Sequence, residues 1–257
     1  MEYFGITDIG KYRSENQDTF ITSELFDGCL LAVVCDGMGG AAGGRIASKM
    51  AAEVFASYVG SELKRYINSV DDIFPDSMSI INNIITDGAD RANHAVYSHS
   101  KDSIDLIGMG TTLVAALVIG PEAYICNVGD SRIYLLSVNR MQQITKDHSY
   151  VQHLIDDGLL TPELAAVHPD KNVITRAIGT DSKVASDLYH VSLKEDDVLL
   201  LCTDGLTNSL TNEQIYSIIW GNHEIFTQDI TQKASALIEA ANQNGGRDNI
   251  TALLITY

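Results

Sequence analysis

The chain has 257 residues, 45% of them hydrophobic, and sets 17 Lys plus Arg against 34 Asp plus Glu for a formal net charge of −17. That balance repels nucleic acid and anionic membrane, and no apolar run approaches the roughly eighteen residues of a membrane span. The length suits one large domain with a sizeable core. The N-terminus, MEYFGITDIGKYR, has no basic segment followed by an apolar stretch, so no signal peptide is expected. Cys29, Cys35, Cys126 and Cys202 lie in apolar, strand-like runs without C-x-x-C spacing. They read as buried free thiols in a reducing, cytoplasmic compartment.

Strand signals come first, at 3–7, 18–23 and 29–35; the third is almost wholly apolar, as expected of a strand covered on both faces. The period then changes. Ile46, Met50, Val54 and Tyr58, with Ala47, Ala51, Phe55 and Val59, recur every four residues and predict an amphipathic helix over about 42–66. After a short Asp-Pro loop, Ile81, Ile85, Ala92 and Val96 predict a second helix over about 76–99. Strands are expected at 111–119, 122–128 and 131–138, then a mostly helical stretch with loops over 148–180. Strands near 185–192 and 197–203, helices near 211–220 and 229–243 and a last strand at 249–256 complete the chain. Paired helices and runs of strands argue against βαβ units. They predict an α+β fold, two packed sheets with helical layers outside. No repeat or Pro- or Ser-rich linker divides the chain, so 1–257 reads as a single domain with 148–180 as a surface lobe.

Four apolar runs, or the turns beside them, end on an aspartate: LLAVVCDGMGG at Asp36, YICNVGDSR at Asp130, LLLCTDGL at Asp204 and GGRDNITALLI at Asp248. Gathered in space, such carboxylates repel. Each close pair costs roughly 4 kcal/mol at about 4 Å and an effective dielectric of about 20, so either a cation sits among them or their pKa values rise. Oxygen donors with no Cys or His pair nearby favour Mg²⁺ or Mn²⁺ over zinc. The glycine-rich turn from Asp36 to Gly44 contains Gly37-x-Gly39-x-x-Ala42, the letters of a dinucleotide fingerprint. However, an aspartate before its first glycine would oppose a pyrophosphate, and the helix leads to another helix. A Walker A loop fails because Arg45-Ile46 follow Gly44 where Lys and Ser/Thr are required. A tight turn accounts for one or two of the glycines. The rest suggest close backbone approach to an ion, with a glycine carbonyl as one ligand.

Further motifs surround these. In order they are Gly5-Ile6-Thr7-Asp8-Ile9-Gly10, Arg13-x-x-Asn16-Gln17-Asp18, Val34-Cys35-Asp36-Gly37-Met38-Gly39-Gly40, Gly110-Thr111-Thr112, Gly129-Asp130-Ser131-Arg132, Thr175-Arg176-Ala177-Ile178-Gly179, Cys202-Thr203-Asp204-Gly205-Leu206 and Gly246-Arg247-Asp248-Asn249. Together they resemble the metal-dependent Ser/Thr protein phosphatases (the PPM, or type 2C, family) in their compact bacterial form. The resemblance implies a four-layer α-β-β-α sandwich of two antiparallel sheets flanked by helices. It implies that Asp36 bridges two Mn²⁺ or Mg²⁺ ions, that the Gly37 carbonyl binds one of them, and that Asp204 and Asp248 complete the other. Asp18 would hold water on the metal, Asp130 with Asp204 a third, weaker ion, and Arg13 the substrate phosphate.

The implied reaction is attack on phosphoserine or phosphothreonine by a hydroxide held between two ions about 3.5–4 Å apart. Arg13 and the metals would offset the charge that develops as the leaving group departs. Two positions depart from the pattern of many eukaryotic members: Met38 stands where they carry a histidine acid, and Gln17 where they carry glutamate. With no histidine there, water on the metal becomes the expected proton donor. Arg176 and His148 are expected to anchor the lobe. The implied partners are phosphoproteins, in opposition to a Ser/Thr kinase in bacterial signalling, and the implied state is a monomer. Two rivals are a phosphatase-like regulatory module that has lost its chemistry, and a nuclease or phosphodiesterase. The first should lack one of Asp36, Asp204 and Asp248; the second needs a basic or aromatic surface that this composition does not supply.

Overall fold

The computed structural model describes residues 1–40, 43–68, 77–221 and 229–257. Position 42 at the start of the first predicted helix, position 76 at the start of the second, and the Asp-Pro loop between them lie outside the described residues, as does Ala42 of the fingerprint letters.

The chain opens with three strands, β1 (Glu2–Asp8), β2 (Asp18–Phe26) and β3 (Cys29–Met38), then two long helices, α1 (Gly43–Ile67) and α2 (Ser77–His99). Strands β4 (Gly110–Thr111), β5 (Leu113–Ile119), β6 (Glu122–Val128), β7 (Arg132–Ser137) and β8 (Arg140–Gln143) follow. The lobe carries α3 (Tyr150–Asp156) and α4 (Pro162–Ala166). The chain ends with β9 (Asp187–Ser192), β10 (Val198–Cys202), α5 (Asp204–Thr207), α6 (Asn212–Trp220), α7 (Ile230–Gln243) and β11 (Ile250–Thr256).

The strands form two antiparallel sheets, one in the order β1-β11-β10-β7-β8, the other β2-β3-β5-β6-β9 with β4 paired to β3. Alternation along β3 shows how the layers are built. Leu30, Ala32 and Val34 join the core between the sheets with Val114, Ile133, Leu201 and Leu253. Leu31, Val33 and Cys35 point the other way, into a second core with Ala51, Phe55 and Val59 of α1 and Ile81, Ile85 and Val96 of α2. A third core packs Leu237 and Ile238 of α7 and Ile215 of α6 on the outer face of β10 and β11. The result is the expected α-β-β-α sandwich, and it explains the wholly apolar reading of β3: both faces of that strand are covered.

All four cysteines are free and buried. Among the described residues no helix is long and apolar enough to cross a membrane. Strand β8, with the sequence RMQQ, had no apolar signal. It is a short edge strand held by the register Tyr134↔Gln143 to Ser137↔Arg140.

Candidate active site

Antiparallel pairing brings every motif to one end of the sandwich. The end of β3 lies beside the start of β2, with Asp18 opposite Asp36 in register. The end of β10 lies beside the start of β11, with Cys202 opposite Ala252, so Asp204 and Asp248 emerge together. The turn from β6 to β7 carries Asp130 to the same end, and the loop after β1 carries Arg13. The two sheets meet there. A cleft of about 560 Å³ is lined by Arg13, Asp36, Gly37, Met38, Thr112, Asp130, Asp204 and Asp248, with Asn172 and Ile174 from the lobe.

Hydroxyls and amides fix this end. The Asp36 amide donates to Thr112 Oγ1 at 2.8 Å, and its carbonyl accepts from Thr111 Oγ1 at 2.8 Å and from the Thr112 amide at 2.9 Å. Asp18 Oδ2 accepts from Thr203 Oγ1 at 2.9 Å and Thr251 Oγ1 at 2.7 Å, which ties β2 of one sheet to β11 and to the residue that follows β10 of the other. Asn249 Oδ1 accepts from the Gln17 amide at 2.8 Å, and its Nδ2 donates to the carbonyls of Ile9 and Glu15, both at 3.0 Å, which shapes the Arg13 loop. Thr251 was not singled out in the sequence, and Thr111, Thr112, Thr203 and Asn249 stood in motifs without assigned roles. A threonine in a strand carries no mark of which hydroxyl will meet a carboxylate.

The glycines have a reason independent of any ion. A Cβ on Gly37 would lie 2.1 Å from the Gly44 carbonyl oxygen and 2.7 Å from that of Gln17, so the strand end and helix start pass backbone to backbone. Gln17 braces this turn by donating from Nε2 to the Gly40 carbonyl at 3.1 Å. Met38 lies against Gly110, and its Cε would be 2.9 Å from a Cβ there.

The carboxylates feel one another. Asp36 is pushed well above the ordinary range, first by burial and then by Asp18, Asp204, Asp130 and Asp248. Asp18 rises to about 7, chiefly by burial against two threonine hydrogen bonds. Asp130 rises to about 8 by burial and the charges of Asp204 and Asp147, with Arg132 opposing. Asp204 is raised by burial and by Asp248. Arg13 lies outermost, its side chain 53% exposed, with Nη2 donating to Asp248 Oδ2 at 2.7 Å. Arg176 and His148 hold the lobe instead of the cleft: Arg176 Nη1 donates to Asp187 Oδ1 at 2.6 Å and lies 3.0 Å from His148 Nε2. The His148 Nδ1 accepts from the Gly129 amide at 3.0 Å.

Among the described residues no three acidic or imidazole side chains stand in a finished ligand shell. Their oxygens are turned to threonines, to Asn208 and to Arg13. The donor set nonetheless fits hard divalent ions: it is all oxygen, it is self-repelling, and Asp18 Oδ1 is buried without a hydrogen-bond partner among the described residues.

These shifts set a pH dependence. A carboxyl whose folded pKa is raised holds its proton in the native chain across a window where the unfolded chain has lost it, so stability falls as pH rises through that window. For Asp18 and Asp130 the window runs from the ordinary 3.8 to about 7 and about 8. In chelator, the melting temperature should therefore drop between about pH 5 and pH 8. Added Mn²⁺ should reverse the drop and release protons measurable by calorimetry in buffers of different ionisation enthalpy. A melting temperature that climbs across this range without metal would contradict the picture.

This two-sheet architecture is that of the phosphatases which the motifs resemble. The family model described as protein phosphatase 2C matches residues 11–254. The serine/threonine phosphatase stp of Listeria welshimeri is 36% identical over 249 residues, 97% of this chain and 93% of that protein. The Streptococcus agalactiae serine/threonine phosphatase superposes with a TM-score of 0.85 at 36% identity, covering 98% of each chain. The catalytic domain of the phosphatase PstP in complex with two manganese ions gives 0.78 at 30% identity, covering 98% of this chain and 96% of that one. The chain belongs to the protein phosphatase 2C family.

Proposed function

We propose that the protein is a metal-dependent serine/threonine phosphatase, with 1–257 as a single catalytic domain and 148–180 as a flap over its cleft. The observation that carries this reading is the gathering of Asp18, Asp36, Asp130, Asp204 and Asp248 at one cleft with Arg13 at its mouth. The manganese pair in the PstP structure supports two ions here. Asp36, the Gly37 carbonyl, Asp204 and Asp248 would hold them as Mn²⁺ or Mg²⁺, Asp18 would hold their water, and Asp130 would take part in a third, weaker site. When bound, the ions supply Lewis acidity and a water-derived nucleophile at neutral pH.

The chain's own groups do the rest. Arg13 keeps its charge at any working pH and has N–H groups beyond the one on Asp248, so it can hold two phosphoryl oxygens and orient the ester for in-line displacement. Thr111 and Thr112 fix the Asp36 backbone from one side, and Thr203 and Thr251 fix Asp18 from the other, so the carboxylates are positioned before substrate arrives. Met38 has no proton to give. The four free, buried thiols suit a cytoplasmic protein, and the reaction suits a monomeric enzyme that opposes a kinase on phosphoprotein substrates in bacterial signalling.

A substrate panel with Mn²⁺ tests the reading. Turnover of phosphothreonine and phosphoserine peptides and of a small aryl phosphate is expected, with no cleavage of a polynucleotide. Inertness towards both phosphoester types with metal bound would leave only the regulatory-module alternative. Variants separate the roles. Arg13→Ala should lose roughly ten- to a hundredfold in kcat/KM, the size of a charge-assisted contact, while calorimetric Mn²⁺ titration stays unchanged. Asp130→Ala should lose only the weakest metal step; an unaltered titration would remove Asp130 from the site.

A further inference from the structure

A smaller recess of about 240 Å³ opens beside the cleft, lined by Lys171, Asn172, Asn208, Asn244, Arg247 and Asp248 among others. It shares Asn172 and Asp248 with the cleft, so the two form one continuous surface. Its size is below the roughly 300–1,000 Å³ of small-molecule sites. It has room for a side-chain group and not for a whole metabolite.

Its chemistry is one-sided. Among the described residues no hydrophobic side chain lines it. Its one acid, Asp248, is already bonded to Arg13. Arg247 is exposed and makes no ion pair with a described residue, and Lys171 spends one N–H on Asn208 Oδ1 at 3.0 Å and has no other Nζ partner among the described residues. Asn208 in turn donates to Asp204 Oδ2 at 3.0 Å, which fixes the recess against the acidic cluster. Lys171 comes from the lobe and Arg247 from the loop before β11, so a group bound between them would touch both walls. Acidic residues outnumber basic ones two to one in this chain, 34 against 17. At physiological salt the screening length is about 8 Å, so the distant negative surface matters less to a docked group than these two cations.

We propose that the recess is an anion subsite that takes a second acidic group of the substrate, a carboxylate or another phosphoryl group, on the same polypeptide as the phosphoresidue in the cleft. The preferred substrate class is then an acidic or multiply phosphorylated segment. This rests on the phosphatase reading above, and the test keeps the two apart.

The full chain loaded with Mn²⁺ is assayed on phosphothreonine peptides that differ at one nearby position on either side of the phosphoresidue. That position carries glutamine, glutamate, lysine or a non-hydrolysable phosphonate analogue of phosphoserine. At one or more positions the acidic peptides should exceed the glutamine peptide about fivefold in kcat/KM, the size that two partly exposed ion pairs support. A preference for the phosphonate over glutamate identifies the second group as phosphoryl; equal preference identifies any acid. Because the readout is a ratio, damage to the chemistry cancels. Lys171→Gln and Arg247→Gln should each lower the ratio, and together bring it near one. Arg247→Glu should turn the preference towards the lysine peptide, which a merely distorted loop would not do. A wild-type ratio of one at every position, or a ratio that survives the double variant, overturns the subsite. Failure to turn over any of the phosphothreonine peptides would strike the phosphatase reading itself.

Discussion

Asp36→Asn should lower kcat at least about a hundredfold, the scale of removing a main electrostatic element of an active site, and at the same time stabilise the metal-free protein. The two effects have one cause. Asp36 is the carboxylate raised by all four others, Asp18, Asp204, Asp130 and Asp248. It is therefore the hub of the repulsion and, in the proposed reading, the group that holds both ions. Asparagine keeps the size and the backbone bonds to Thr111 and Thr112 but removes the charge. Relief of about 1 kcal/mol would raise the melting temperature in chelator by about 2–4 °C for a chain of this size. A stability gain with lost activity is the usual trade at a strained functional site. Retention of most wild-type kcat at saturating Mn²⁺ would refute the assignment of Asp36. A lower melting temperature in chelator would refute the repulsion.

Stripping divalent ions should abolish turnover while the sandwich persists. The carboxylates lie at the sheet ends, outside the three apolar cores, so the fold does not depend on a metal to form. Metal at about a hundred times its dissociation constant adds about 2.7 kcal/mol, which corresponds to about 5–11 °C in melting temperature. Circular dichroism in chelator should retain the native spectrum, and Mn²⁺ should restore activity. Full turnover after exhaustive stripping would remove metal from the mechanism.

Much of this was legible in the sequence because apolar period fixes layers. The four-residue repeat from Ala47 to Val59 gave α1 its buried face, and the unbroken apolar run of β3 gave a strand covered on both sides. The aspartates were visible because a carboxylate ending a buried strand has no packing reason to be there. What stayed hidden depends on partners far off in the chain. Thr251 reaches Asp18 across 233 positions, and Asn249 stitches a loop 234 positions away. Nothing local marks either. The close approach of the Gly37 and Gly44 backbones, which gives two glycines of the run a packing reason beside the proposed carbonyl ligand, depends on where the strand end and the helix start meet and has no local mark. Strand β8 and the four-residue α5 are too short for any period to show.

The wide spacing of the clustered aspartates along the chain, from Asp18 to Asp248, also bears on folding kinetics. In the unfolded chain these charges are far apart and solvated. Asp18 and Asp36 can meet as β2 pairs with β3, and Asp204 and Asp248 as β10 pairs with β11. The two groups face each other only when both sheets have closed, so the repulsion between the sheets belongs to the finished native state far more than to the transition state before it. Interactions made that late act on the unfolding rate and leave the folding rate nearly untouched. Without metal, the cluster therefore works as a spring set at the final step of assembly, shortening the lifetime of the folded chain. An ion that fills the site would prolong that lifetime without having guided the chain to its fold.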